Sequence, residues 1–289
     1  MTAYRNRICR ALLGAALLSA FYAPTTALAS EQTAQLPQGD PARKIAVLHW
    51  QEVHLEDMVA SACYAKAGVN AETNRAAAYA ARDAFEATLP DIIAEVDTLD
   101  PGNSAVRHLK RKLGQKKDQW YRFRVVLEGG LKAQNPGPQE LAQLALMEVG
   151  LVDGIEDVYR SVKRKAAKMG TVNLADDIAE SAGFSRVFAS SRLMKTACLV
   201  TAGAGDALDR QKFSEALDTM DKQIDVDEQS LITKAEVREL VPAWREMMPR
   251  LRAALEAGKA DDALLAELET LSEAWKKASG VPGIGIEQS

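Results

Sequence analysis

A chain of 289 residues with 40 acidic against 36 basic side chains carries a formal net charge of −4, and only 6% of its residues are aromatic. That acidic balance argues against nucleic acid or an anionic membrane as the main partner, so any anion site has to be a local basic spot. Abundant Ala and Leu without strand-like alternation exclude a β architecture and predict an all-α protein.

Residues 1–29 read as a signal peptide. Arg5, Arg7 and Arg10 form a basic start, Ala11 to Ala23 are apolar, and Ala27-Leu28-Ala29 supplies a small-x-small cleavage pattern. The apolar stretch of 13 residues falls short of the roughly 20 that span a bilayer, and no later run is long and apolar enough. The expectation is an exported, periplasmic protein with no direct membrane insertion after cleavage.

The first predicted helix starts at Asp40 as N-cap with Pro41 in the first helical position. Leu55, Met58, Val59, Ala62 and Cys63 then form one apolar stripe, and Gly68-Val69-Asn70 ends the helix. A second helix runs from about Ala71 to Leu99, and a third, after Asp100-Pro101-Gly102-Asn103, carries Trp120, Tyr121 and Phe123 to about Leu131. A fourth follows Asn135-Pro136-Gly137-Pro138, with Leu144, Met147, Leu151, Ile155, Val158 and Val162 stepping by three and four. After Gly170 the pattern restarts: a fifth helix to Ala202, a sixth to Asp225, a seventh over Leu231 to Ala257 started or kinked by Pro242 and Pro249, and an eighth from Ala260 to Ser279. The predicted architecture is two tandem up-down four-helix bundle modules, 40–169 and 171–279, followed by a flexible tail at 280–289.

The two halves share more than helix count. Ala62-Cys63-Tyr64-Ala65-Lys66-Ala67-Gly68 and Ala197-Cys198-Leu199-Val200-Thr201-Ala202-Gly203 match at an offset of 135 residues, and Arg75/Arg210, Ala81/Ala216 and Asp83/Asp218 are identical at the same offset. Cys63 and Cys198 are the two cysteines left after signal cleavage. In an oxidising compartment they are a disulfide candidate, the alternative being two small buried hydrophobes at helix contacts. If related modules build one interface, the two cysteines should lie close together across it.

Signatures of catalysis and of cofactors are missing. His49 and His54 are five residues apart and fall on different helix faces, unlike an i,i+4 zinc pair. Glu52 and Glu56, three and seven residues after His49, read as a solvated polar face, so no metal site is expected. There is neither a Glu-x-x-His pair nor a Cys-x-x-Cys-His attachment. Gly203-Ala204-Gly205 follows a helix instead of a strand and reads as a C-cap, not a phosphate loop.

One stretch carries a resemblance. Gly183-Phe184-Ser185-Arg186-Val187-Phe188-Ala189-Ser190-Ser191-Arg192-Leu193-Met194-Lys195, with Val172-Asn173-Leu174-Ala175 upstream, resembles the PilJ-type N-terminal sensor module of type IV pili methyl-accepting chemotaxis transducers, which is related to the periplasmic domain of nitrate/nitrite sensor kinases. Gly68-Val69-Asn70-Ala71-Glu72-Thr73-Asn74-Arg75 is similar to the turn that follows in that family. The second copy departs from the family motif by one extra residue between its arginines, and the first copy has Gln51 and Asp57 where the second has Arg186 and Arg192.

The resemblance implies a small anionic ligand, an oxyanion held by Arg186 or Arg192 with Ser190 or Lys195 assisting, because a guanidinium fork offers bidentate hydrogen bonds to a planar oxyanion. Six residues of helix set the two arginines about 120° apart, whereas Arg192 and Lys195 share a side better. The functional expectation is a non-catalytic exported sensor or binding protein that relays to a membrane-bound signalling or pilus-associated partner. The alternative is a structural adaptor that docks such a partner without a small ligand.

Overall fold

A computed structural model describes residues 41–97, 102, 104–132, 137–168, 174–205, 207–229 and 233–279. The expected signal peptide, the boundary at Gly170, Val172-Asn173 and the tail at 280–289 lie outside the described residues, as do the side chains of His49 and His108. Among the described residues there are eight helices and no strand: α1 (Pro41–Ala67), α2 (Ala71–Asp97), α3 (Ser104–Lys132), α4 (Pro138–Lys168), α5 (Leu174–Thr201), α6 (Ala207–Gln229), α7 (Ala235–Ala257) and α8 (Asp262–Ser279). None of them is long and apolar enough to cross a membrane.

Contacts sort the helices into two groups. In α1–α4, α1 packs on α2 and α4, which are joined through α3; in α5–α8, α5 packs on α6 and α8, which are joined through α7. The groups meet where α1 lies against α5. Three contacts fix the direction of that pairing: Cys63 is bonded to Cys198, Glu56 meets Arg192, and the Trp50 ring lies 6.0 Å from Phe184. The partners advance together along both helices, so α1 and α5 run parallel and nearly in the register of the sequence repeat.

Their central position explains their composition. α1 is covered from Gln51 through Tyr64 without a break, and Val187, Leu193, Met194, Ala197 and Cys198 of α5 are equally buried. A helix surrounded by protein has no water-facing stripe to reserve for polar residues. The outer helices keep one: α7 buries Val237, Val241, Trp244, Met247, Met248 and Leu251 along one side.

The duplicated turns are duplicates in hydrogen bonding. Gly68 and Gly203 take left-handed φ values of 80° and 67°. Val69 N–H donates to the Tyr64 carbonyl at 3.1 Å, and Ala204 N–H to the Leu199 carbonyl at 3.0 Å, at equivalent positions. This is the Schellman closure of a helix C-terminus, in which glycine adopts the left-handed conformation most cheaply.

Two boundaries differ from the sequence reading. α6 continues to Gln229 instead of stopping near Asp225, because Asp227 on its last turn is held by Arg186 of α5. α7 begins at Ala235, later than Leu231, and Thr233 ahead of it is tied back to Asp227 by its hydroxyl. Pro242 and Pro249 neither start nor interrupt α7, which is continuous through both. Each proline removes one backbone donor, and the buried stripe around them offsets that loss.

Candidate functional site

The polar residues of the α1–α5 seam are the feature that needs explaining, since buried charge is costly unless it is paired. Glu56 is fully buried on α1. It accepts from Arg192 Nε at 3.1 Å and lies 2.5 Å from Lys195 Nζ. Lys195 also donates to Glu148 of α4 at 2.7 Å, so one ammonium bridges two carboxylates from two helices. Arg192 stacks over the Phe188 ring, 4.3 Å from its centroid.

Electrostatics follow from those contacts. Burial opposes the charge of Glu56, yet Lys195 and Arg192 outweigh it and hold the carboxyl below its usual range. Glu148 is pushed up to about 7, by burial first and then by Glu56. Burial, followed by the nearby charge of Glu156, raises Glu52 to about 8. The reading of Glu52 and Glu56 as a solvated polar face is therefore corrected: both are buried, because α5 and α4 cover the sides of α1 that a peripheral helix would expose.

Arg186 lies elsewhere. Its guanidinium forks onto Asp227 of α6, with Nε at 2.7 Å from one carboxylate oxygen and Nη2 on the other. Gln223 and Thr233 donate to the same carboxylate at 3.2 and 3.3 Å. The fork expected to receive a planar oxyanion is thus engaged by a side-chain carboxylate. Ser190 is buried and donates to the Val187 carbonyl at 2.9 Å, within its own helix. The structure brings Arg192 and Lys195 together on Glu56 and leaves Arg186 and Ser190 apart from them.

A second set of buried polar contacts joins α8 to the first group. Lys276 donates to Asp57 of α1 at 2.8 Å and to Glu273 at 3.0 Å. Glu269 accepts from Asn74 at 2.7 Å and from Asn70 at 2.9 Å, clamping the α1–α2 turn to α8. Asn70 has φ 43°, a left-handed conformation that asparagine tolerates better than most residues. His54, beside Asp57 and Lys276, is buried, and its Nδ1 has no hydrogen-bond partner.

Glu148, Lys276, Asp57 and Asp227 did not stand out in the sequence as site residues. A signal for two of them was present. Glu148 interrupts the stripe Leu141, Leu144, Leu151, Ile155 at a core position, and Lys276 follows Leu268 and Ser272 at helical spacing on the buried side of α8. A charge on an apolar stripe marks a buried partner on another helix.

Among the described residues no group of three or more His, Cys, Asp or Glu is arranged to hold a metal ion. Cys63 and Cys198 form a disulfide, with Cα atoms 6.0 Å apart, placed near the C-terminal ends of α1 and α5. The seam thus runs from a covalent link, through a buried ionic cluster, to the aromatic contact of Trp50 with Phe184 and the Phe184–Phe188 stack. The chain matches no family, no curated protein and no solved structure among those with which it was compared.

Proposed function

We propose that this is a non-catalytic exported sensor or relay protein in which two related PilJ-like helical modules form an internal pseudo-dimer, with the α1–α5 seam as its responsive element. The observation that carries this reading is the parallel, in-register pairing of α1 with α5, closed by a disulfide between equivalent positions. A two-fold dimer pairs the same surface of each protomer. Here a single chain pairs equivalent helices and carries different charges on each, so the seam is asymmetric.

The oxyanion version of this reading requires a ligand to displace Glu56 from Arg192 and Lys195, or Asp227 from Arg186. Calorimetric titration of the mature protein with nitrate, nitrite and other small anions tests it directly. Saturable binding that disappears in an Arg186→Ala/Arg192→Ala double variant supports the version. Absence of heat with wild type, or binding unchanged in the double variant, removes it.

The adaptor reading draws on a different surface. Tyr121 and Val125, one helical turn apart on α3, are 62% and 54% exposed, and exposed aromatic and aliphatic groups on one face favour protein contact. Retention of an envelope or pilus-associated membrane protein by wild type, and its loss in Tyr121→Ser/Val125→Ser, is the expected outcome under that reading.

A further inference from the structure

Among the described residues the seam holds more negative charge than positive. Glu52 and Glu56 from α1 and Glu148 from α4 face Arg192 and Lys195 from α5, three carboxylates against two cations. Glu56 takes both cations and Glu148 shares Lys195. Glu52, one turn before Glu56, keeps an oxygen with no hydrogen-bond partner although the residue is only 5% exposed. Glu156 and Arg160 of α4 flank it and are paired with each other. Among the described residues the cations acting on Glu52 are Arg192 and Arg160, and neither is recorded in an ion pair with it; α2 meets Gln51 through the Thr88 hydroxyl, and Lys276 of α8 is committed to Asp57.

We propose that this seam is a proton-binding site, formed by Glu52, Glu56 and Glu148 around Arg192 and Lys195, whose occupancy sets how firmly the two helical groups are joined. An uncompensated buried carboxylate is stabilised most cheaply by taking a proton, and that neutralises the excess charge. With Glu52 raised to about 8 and Glu148 to about 7, the proton is retained through neutral pH and lost in mild alkali. A carboxylate raised in the folded state contributes stability that is complete below its unfolded value, 4.5, and that falls away as pH rises toward the folded value. Deprotonation then sets Glu52 against Glu56 and Glu148, on the side of α1 that meets α4 and α5.

This inference rests on the α1–α5 seam being the responsive element, and the test separates the two ideas. Carboxyl-carbon NMR of the mature, oxidised protein should show a glutamate titrating between about pH 7 and 8, absent in Glu52→Gln, against an ordinary value near 4.3. Hydrogen exchange at 51–64 and 186–200, corrected for intrinsic base catalysis, should quicken on the order of tenfold from pH 6 to 9 in wild type, and far less in Glu52→Gln. If every glutamate of wild type titrates below pH 6, the proton site is wrong even should the variant fail to fold. Should the two segments instead open independently of each other at every pH, the seam as a joint unit is wrong while a titrating glutamate still stands.

Discussion

Lys276 of α8 donates to Asp57 of α1 at 2.8 Å, a buried ion pair that ties one helical group to the other. Lys195 of α5 makes the corresponding link to Glu148 of α4 at 2.7 Å. In the first pair the paired helix α1 supplies the anion and the outer helix the cation; in the second the polarity is reversed. Equivalent helices are thus cross-braced by opposite charges, so neither module presents the same seam as the other.

That cross-brace yields a measurable coupling. Removing one partner of a buried pair costs about 3–5 kcal/mol, because the other charge is stranded, whereas replacing both with apolar residues is often close to neutral. Lys276→Met and Asp57→Leu should each lower the urea midpoint sharply, and the double variant should recover most of the loss. Additive losses in the double-mutant cycle would mean that the pair does not interact in solution.

The Cys63–Cys198 bond closes a loop of 135 residues between the two central helices. The chain-entropy model gives about 5 kcal/mol for a loop of this length, and removing native disulfides typically costs about 2–5 kcal/mol. Oxidised protein should therefore unfold at a clearly higher denaturant concentration than the Cys63→Ser/Cys198→Ser variant. Equal midpoints would show that the bond is absent or carries no constraint.

Helix existence was legible in the sequence because the outer helices α3, α4, α7 and α8 bury one regular stripe each. The repeat with its glycine turns marked Cys63 and Cys198 as equivalent, and their proximity followed from treating the halves as a pair. What could not be read was which charges were buried. Glu52 and Glu56 follow helical spacing on a helix rich in polar residues, and only the covering of α1 by α4 and α5 distinguishes such a face from a solvated one. Arg186 is the residue type an anion site needs, but its partner Asp227 lies 41 residues away, on a last helical turn that extends past the Asp225 boundary the sequence suggests.

Glycine turns give a graded prediction. A Cβ at Gly68 or Gly203 meets nothing within 4 Å, so substitution there costs only the left-handed backbone, roughly 1–2 kcal/mol for alanine. Gly68→Ala and Gly203→Ala should lose similar stability, as equivalent turns require. At Gly258, φ 69°, a Cβ would also come within 2.7 Å of the Arg210 guanidinium, so Gly258→Ala should lose at least as much while Arg210 withdraws. Thermal unfolding of the three variants checks the order, and a silent Gly203→Ala would contradict the C-cap.

His54 gives the acid side of the stability profile. Burial lowers its pKa below 6.5, Lys276 adds to the lowering and Asp57 opposes it. In the unfolded chain the imidazole takes its proton near 6.5, while in the folded protein it stays neutral to lower pH. Through its imidazole the unfolded state then binds more protons in that window, so the contribution of His54 is complete above about 6.5 and declines as pH falls toward the folded value. Below about pH 6.5 this slope opposes those of Glu52 and Glu148, whose contributions fall as pH rises from 4.5 toward about 8 and about 7. The stability of His54→Leu relative to wild type should rise as pH falls below about 6.5 and stay constant above it, as read from denaturant midpoints across pH. A difference between the two proteins that does not change with pH would show that His54 makes no such contribution.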